Sequence, residues 1–137
     1  VGKAAQALSE AGAKRCIPLK VSGPFHSALL EGAGRKLGEE LEKVTIQKPQ
    51  IPYVCNVDAS YVTEADGIKT LLEKQVSSSV CWQQSVENMI ADGVDTFIEI
   101  GPGKTLTGFI KKINREATVY TVTDLESLNA TIGGLLK

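Results

Sequence analysis

The chain has 137 residues, 42% of them apolar and 23% charged, which is the composition of a globular domain and excludes a disordered one. Its 15 basic and 16 acidic residues nearly cancel, leaving no overall electrostatic footprint for nucleic acid or an anionic membrane. No apolar run approaches membrane-spanning length, and the first residues lack the build of a signal peptide. The sequence opens at Val1 without a methionine and enters a helical pattern at once, so a fragment or a processed chain is expected. Cys16, Cys55 and Cys81 form an odd set without CxxC spacing, and are expected to be reduced, mostly buried thiols of a cytosolic protein. One histidine and scattered cysteines offer no ligand cluster for a metal.

In chain order, Ala4, Ala7, Leu8 and Ala11 mark one face of a helix over Gly2 to Ala11, stopped by Gly12. Cys16 to Val21 reads as a strand, with Pro18 confining it to an edge or a bulge. Ser22-Gly23-Pro24-Phe25-His26-Ser27 then forms a loop. Leu30, Ala33, Leu37, Leu41 and Val44 predict an amphipathic helix from Leu29 to Val44, opposite Glu39, Glu40, Glu42 and Lys43. Ile51 to Val57 reads as a strand and Asn56 to Ser60 as a turn. Thr63, followed by Asp66, is the expected cap of a helix with the stripe Ile68, Leu71, Leu72 and Val76, and with Gln75 near its end. After a polar loop at Ser77 to Ser79, Val80 to Ala91 is a further helix with Trp82, Val86, Met89 and Ile90 inward and Gly93 as its stop.

Val94 to Ile100 reads as a strand, Gly101-Pro102-Gly103-Lys104 as a turn, and Leu106, Phe109, Ile110 and Ile113 as one face of the next helix. That order is half of a βαβ unit. Ala117 to Val122 is one more strand, and Leu125 to Leu136 a last helix weakened by Gly133 and Gly134. Alternating strands and helices predict an α/β fold with a largely parallel sheet.

His26 is the single histidine and sits in a loop, where an imidazole can move protons near pH 7. A complete nucleophilic site also needs an activated serine or cysteine. The chain has no G-x-S-x-G elbow. Ser22 and Ser27 flank His26 but are poorly placed as its nucleophile, and the apolar settings of the cysteines favour inert thiols. A nucleophile outside this sequence is therefore expected if His26 is catalytic. The Gly101–Lys104 turn offers a helix N-terminus to an anion, but lacks the spacing of a phosphate-binding loop. Glu99 reads as a catalytic carboxylate or as the partner of a nearby cation. Lys104, Lys111, Lys112 and Arg115 form a solvated face or a docking site for an acidic partner or a CoA phosphate.

Gly23-Pro24-Phe25-His26-Ser27 resembles the histidine motif of the malonyl-CoA:acyl-carrier-protein transacylase family, which includes the acyltransferase domains of fatty acid and polyketide synthases. Asn56-Val57-Asp58 resembles the family's SNV block. Gln75 to Trp82 with Ser85-Val86 resembles a further block, with Ser79 where proline is common. Glu99-Ile100-Gly101-Pro102-Gly103-Lys104 with Leu106-Thr107 resembles its EIGPGKVL block. The four blocks keep the family's order and span nearly the whole chain.

The resemblance implies ping-pong transfer of malonyl from CoA to the phosphopantetheine thiol of acyl carrier protein, through a seryl ester. It implies His26 as the catalytic base and acid, and a backbone carbonyl from the block matched by Gln75 as the group that orients the ring. Phe25 would crowd an α-methyl group and favour malonyl. CoA enters as a thioester substrate, and no separate cofactor is implied. The family's serine elbow, carboxylate-binding arginine and early glutamine segment are absent from this sequence. The resemblance thus implies the C-terminal portion of such a cytoplasmic enzyme, inactive alone and partnered by the N-terminal part. Residues 1–21 would be the tail of a ferredoxin-like small subdomain, and 22–137 part of an α/β-hydrolase-like parallel-sheet subdomain. The competing readings are a non-catalytic module that binds carrier protein or CoA, and a cysteine–histidine enzyme complete in this chain.

Overall fold

The computed structural model describes residues 1–18 and 21–136. Helix α1 spans Gly2–Glu10. A 3₁₀ turn at Ala28–Leu30 leads into α2, Glu31–Leu41. Two short strands, β1 (Tyr53–Val54) and β2 (Tyr61–Val62), precede α3, Ile68–Ser77, and α4, Trp82–Ala91. The remainder alternates: β3 (Thr96–Ile100), α5 (Thr105–Ile113), β4 (Thr118–Val122) and α6 (Leu125–Leu135).

β3 and β4 pair in parallel from Thr96↔Thr118 to Ile100↔Val122, with α5 as the crossover. The apolar stripes of α4 and α5 close on this unit. Val86, Phe97, Ile110 and Ala117 are buried together, with Trp82, Met89, Ile90, Ile113 and Val119 around them. Gly134 in α6 is explained by packing rather than by weakness: a Cβ there would lie 2.9 Å from the Tyr120 ring. A second cluster joins Cys55, Val62 and Ile68, flanked by Ile46, Val57, Leu71 and Leu72.

Four local expectations change. The strand expected over Ile51 to Val57 is only Tyr53–Val54, and it pairs antiparallel with Tyr61–Val62 across the Asn56–Ser60 turn. The Cys55 amide donates to the Ser60 carbonyl at 2.8 Å and the Ala59 amide to the Cys55 carbonyl at 2.9 Å, so the turn is a hairpin loop. Among the described residues the sheet is therefore a parallel pair and a separate antiparallel pair. Thr63 caps nothing. Gly67, at φ 82°, interrupts any right-handed path before Ile68, where α3 begins.

Of the strand expected at Cys16 to Val21, residues 19 and 20 lie outside the described residues, and Cys16 to Pro18 and Val21 have no strand partner. Proline at 18 removes a donor that a ladder would need. Finally, the helix expected to bury Leu37 and Val44 leaves both exposed and buries Gly34 instead.

Candidate functional site

Pro24, His26 and Ser27 shape the loop before α2. Pro24 fixes one backbone angle of the turn. The Ser27 hydroxyl donates to the Pro24 carbonyl at 2.6 Å. Between them His26 sits at φ 56°, in the left-handed region, which histidine enters more readily than bulkier or branched residues. The imidazole thereby leaves the loop toward the C-terminal end of α3.

His26 Nδ1 lies 2.9 Å from the backbone carbonyl oxygen of Gln75. Gln75 is in the last turn of α3, where carbonyls have no partner within the helix. A carbonyl only accepts, so this bond puts the proton on Nδ1 and leaves Nε2 with its lone pair. His26 is exposed, so Nε2 is open to a reacting group.

The α2–α3 contact fixes how close Gln75 comes. A Cβ at Gly34 would stand 3.0 Å from the Glu73 carbonyl oxygen, and one at Gly38 would stand 2.5 Å from the Glu73 carboxylate. The Gly34-x₃-Gly38 spacing is the sequence signal for this seam. Beside it runs an open groove of about 420 Å³ lined by Phe25, His26, Leu30, Leu37, Leu72 and Val76. Phe25, 65% exposed, stands over Gly23, where a Cβ would come within 3.3 Å of the ring.

The other candidates are engaged elsewhere. Cys81 Sγ donates to the Val57 carbonyl at 3.3 Å, the Val57 amide lies 3.5 Å from Cys55 Sγ, and Cys16 Sγ accepts from Ser9 at 3.8 Å. All three thiols are free, but only Cys55 is fully buried. The Ser27 hydroxyl faces Pro24 and not the imidazole. The Asn56 block is a cross-tie. The Asn56 carbonyl accepts from the Cys81 amide at 2.7 Å, and Asp58 Oδ1 accepts from the Ser60 amide and hydroxyl at 3.0 and 2.7 Å. Those bonds hold the Asp58 carboxyl below its ordinary range.

Glu99 pairs with no cation among the described residues. Its two oxygens accept from the amides of Leu106 (3.1 Å) and Thr107 (2.8 Å), so it caps α5 from the end of β3. These are two of the donors that an anion would need, and the Gly101–Lys104 turn is a structural connection. Gly101 and Gly103, at φ 137° and 99°, let the chain return to the carboxylate. Hydrogen bonding from the Thr107 side chain, then from the Thr107 and Leu106 amides, lowers the Glu99 pKa from its ordinary value of 4.5.

Lys111 is committed to the Arg115 and Ala117 carbonyls at 3.2 and 2.6 Å, and Lys112 lies 5.8 Å from the Phe109 ring centre. Lys104 and Arg115 are exposed. Among the described residues no cluster of metal-ligating side chains occurs, and no helix is long and apolar enough to cross a membrane.

No protein-family model matches the chain. It is 46% identical over 129 residues to the malonyl CoA-acyl carrier protein transacylase of Bacillus subtilis, covering 94% of this chain and 41% of that protein. Its fold is similar to the crystal structure of malonyl CoA-acyl carrier protein transacylase from Clostridium perfringens, with a TM-score of 0.89 and 46% identity over 98% of this chain and 42% of that one. It is equally similar in fold (TM-score 0.89, 38% identity, 97% and 43% covered) to a structure described as a type II PKS acyl-carrier protein in complex with its malonyl-transacylase. The chain thus spans about two-fifths of the length of the relatives it matches. By sequence and by its α/β fold, the chain belongs to the malonyl CoA-acyl carrier protein transacylase family.

Proposed function

We propose that this chain supplies the histidine side of an acyltransferase site that moves malonyl from CoA to the phosphopantetheine thiol of acyl carrier protein. The observation that carries the reading is the bond from His26 Nδ1–H to the Gln75 carbonyl, which leaves Nε2 free to take a proton. Nε2 removes the proton of a serine hydroxyl as its oxygen attacks the malonyl thioester. The tetrahedral intermediate collapses, the C–S bond breaks, and the imidazolium returns the proton to the departing CoA thiolate. A seryl malonyl ester remains. In the second half, Nε2 takes the proton of the carrier thiol, the thiolate attacks the ester, and the serine oxygen leaves with the proton. The neutral imidazole is regenerated, so no cofactor is consumed. A carbonyl in place of a triad carboxylate suffices, because its task is to hold the tautomer.

The serine belongs, in this reading, to the part of the family's length that the chain does not span, since no G-x-S-x-G elbow occurs here. Residues 1–21 then form the tail of a ferredoxin-like subdomain and 22–137 the C-terminal portion of an α/β-hydrolase-like one. The Phe25 ring, beside His26 at the groove, selects malonyl over an α-methyl analogue by about 1–3 kcal/mol. Exposed Lys104 and Arg115 leave room for the second reading, a fragment that only binds acidic carrier protein or CoA. His26→Ala in the protein of full family length separates the two. The acyltransferase reading expects transfer to the carrier to fall by at least about 100-fold with carrier binding intact. Transfer near the wild-type rate would refute it.

A further inference from the structure

We infer that Ser27 is a positioning residue for the His26 imidazole; this rests on the proposed role of His26 but is tested separately from it. His26 and Ala59 are the non-glycine residues at positive φ among the described ones. Ala59 is buried and its carbonyl is held by the Asn88 side chain at 2.9 Å. His26 has no such burial. It is exposed, and an exposed left-handed residue reverts to ordinary backbone unless something holds it.

The structure shows two restraints on it. One is the ring's bond to Gln75. The other is the Ser27 hydroxyl, which reaches back three residues to the Pro24 carbonyl at 2.6 Å. A β-turn is ordinarily closed by an amide donating to the carbonyl three residues earlier. Here the Ser27 hydroxyl bonds to that same carbonyl and adds a side-chain tie across the turn at Phe25 and His26, which sends the imidazole to α3. Ser27 itself is extended, at φ −135° and ψ 160°, and its own carbonyl accepts from the Leu30 amide at 2.9 Å to start the 3₁₀ turn. One residue therefore anchors the His26 loop behind and the entry to α2 ahead. Removing the hydroxyl frees the Pro24 carbonyl, relaxes His26 from the left-handed region and withdraws Nδ1 from Gln75.

Because His26 is the single histidine, two-bond proton–nitrogen NMR reads its ring directly in the 137-residue chain. The wild-type spectrum is expected to show Nδ1–H, with Nε2 unprotonated at high pH. Ser27→Ala is expected to shift the ring toward the Nε2–H form, with the amide spectrum of α4, β3 and α5 unchanged. Ser27→Thr, which keeps the hydroxyl, is expected to restore the wild-type signature. In the enzyme of full family length, Ser27→Ala should lower kcat about 10-fold with little change in KM, and Ser27→Thr should recover it. A wild-type tautomer and kcat in Ser27→Ala overturn the inference. If Ser27→Ala does not fold, failure of Ser27→Thr to restore both the fold and the Nδ1–H signature overturns it too. Neither result bears on His26→Ala, whose failure would remove the acyltransferase reading and leave the tautomer result standing.

Discussion

At the scale of residues, single side chains decide which backbone groups are left free. His26 takes up a helix-end carbonyl, and Glu99 takes up two helix-start amides. The second contact makes a pH prediction. The Glu99 pKa is lowered in the folded chain, so its contribution to stability is present above the ordinary value of 4.5 and is lost as pH falls through the folded value. Asp58 and Asp124 are shifted the same way by their serine partners, so the wild-type curve sums several groups. Glu99→Gln should lower Tm at pH 7 and narrow its difference from wild type as pH falls below the ordinary value of 4.5. A difference in Tm that does not shrink on acidification would remove the capping role.

At the scale of elements, the α2–α3 seam sets the distance from the His26 loop to Gln75. The two glycines differ in what they face. Gly34 meets the backbone of Glu73, which cannot yield, whereas Gly38 meets the end of its flexible side chain. Gly34→Val should cost about 1–3 kcal/mol by urea unfolding and weaken the Nδ1–H signature of His26. Gly38→Ala should be neutral or stabilising, because the carboxylate swings away and alanine favours the helix. Equal costs for the two would contradict the seam.

Most elements of the second half were legible in the sequence. The stripe Trp82, Val86, Met89 and Ile90 and the run before Gly101 each bury their own core side chains. The first half was less so. The burial of α2 through Gly34 rather than Leu37 depends on a neighbour that periodicity does not name. The hairpin after Cys55 rests on the Asp58–Ser60 turn, and two-residue strands carry too little pattern to be seen. His26 was a candidate as the single histidine in a loop, and Gln75 was named from the motif resemblance. Their contact was not legible from spacing, since 49 residues separate them.

At the scale of the whole molecule, the open surface is the main fact. Ile98 and Ile100 on β3 are 43% and 80% exposed, and Phe25, Leu29 and Phe109 are exposed too. A parallel pair open at an edge with apolar side chains uncovered invites a further strand. The chain spans 41% of the Bacillus subtilis relative, and no G-x-S-x-G elbow occurs in its sequence. On the proposed reading, a polypeptide carrying the rest of the family's length supplies the nucleophile and covers this apolar surface. The most direct measurement follows malonyl from labelled malonyl-CoA onto acyl carrier protein, with this chain alone, with that complementary polypeptide added, and with the His26→Ala chain in its place. No transfer is expected from the chain alone, with transfer on mixing and a loss of at least about 100-fold with His26→Ala. Transfer by the isolated chain, or equal rates with and without His26, would contradict the proposed reading.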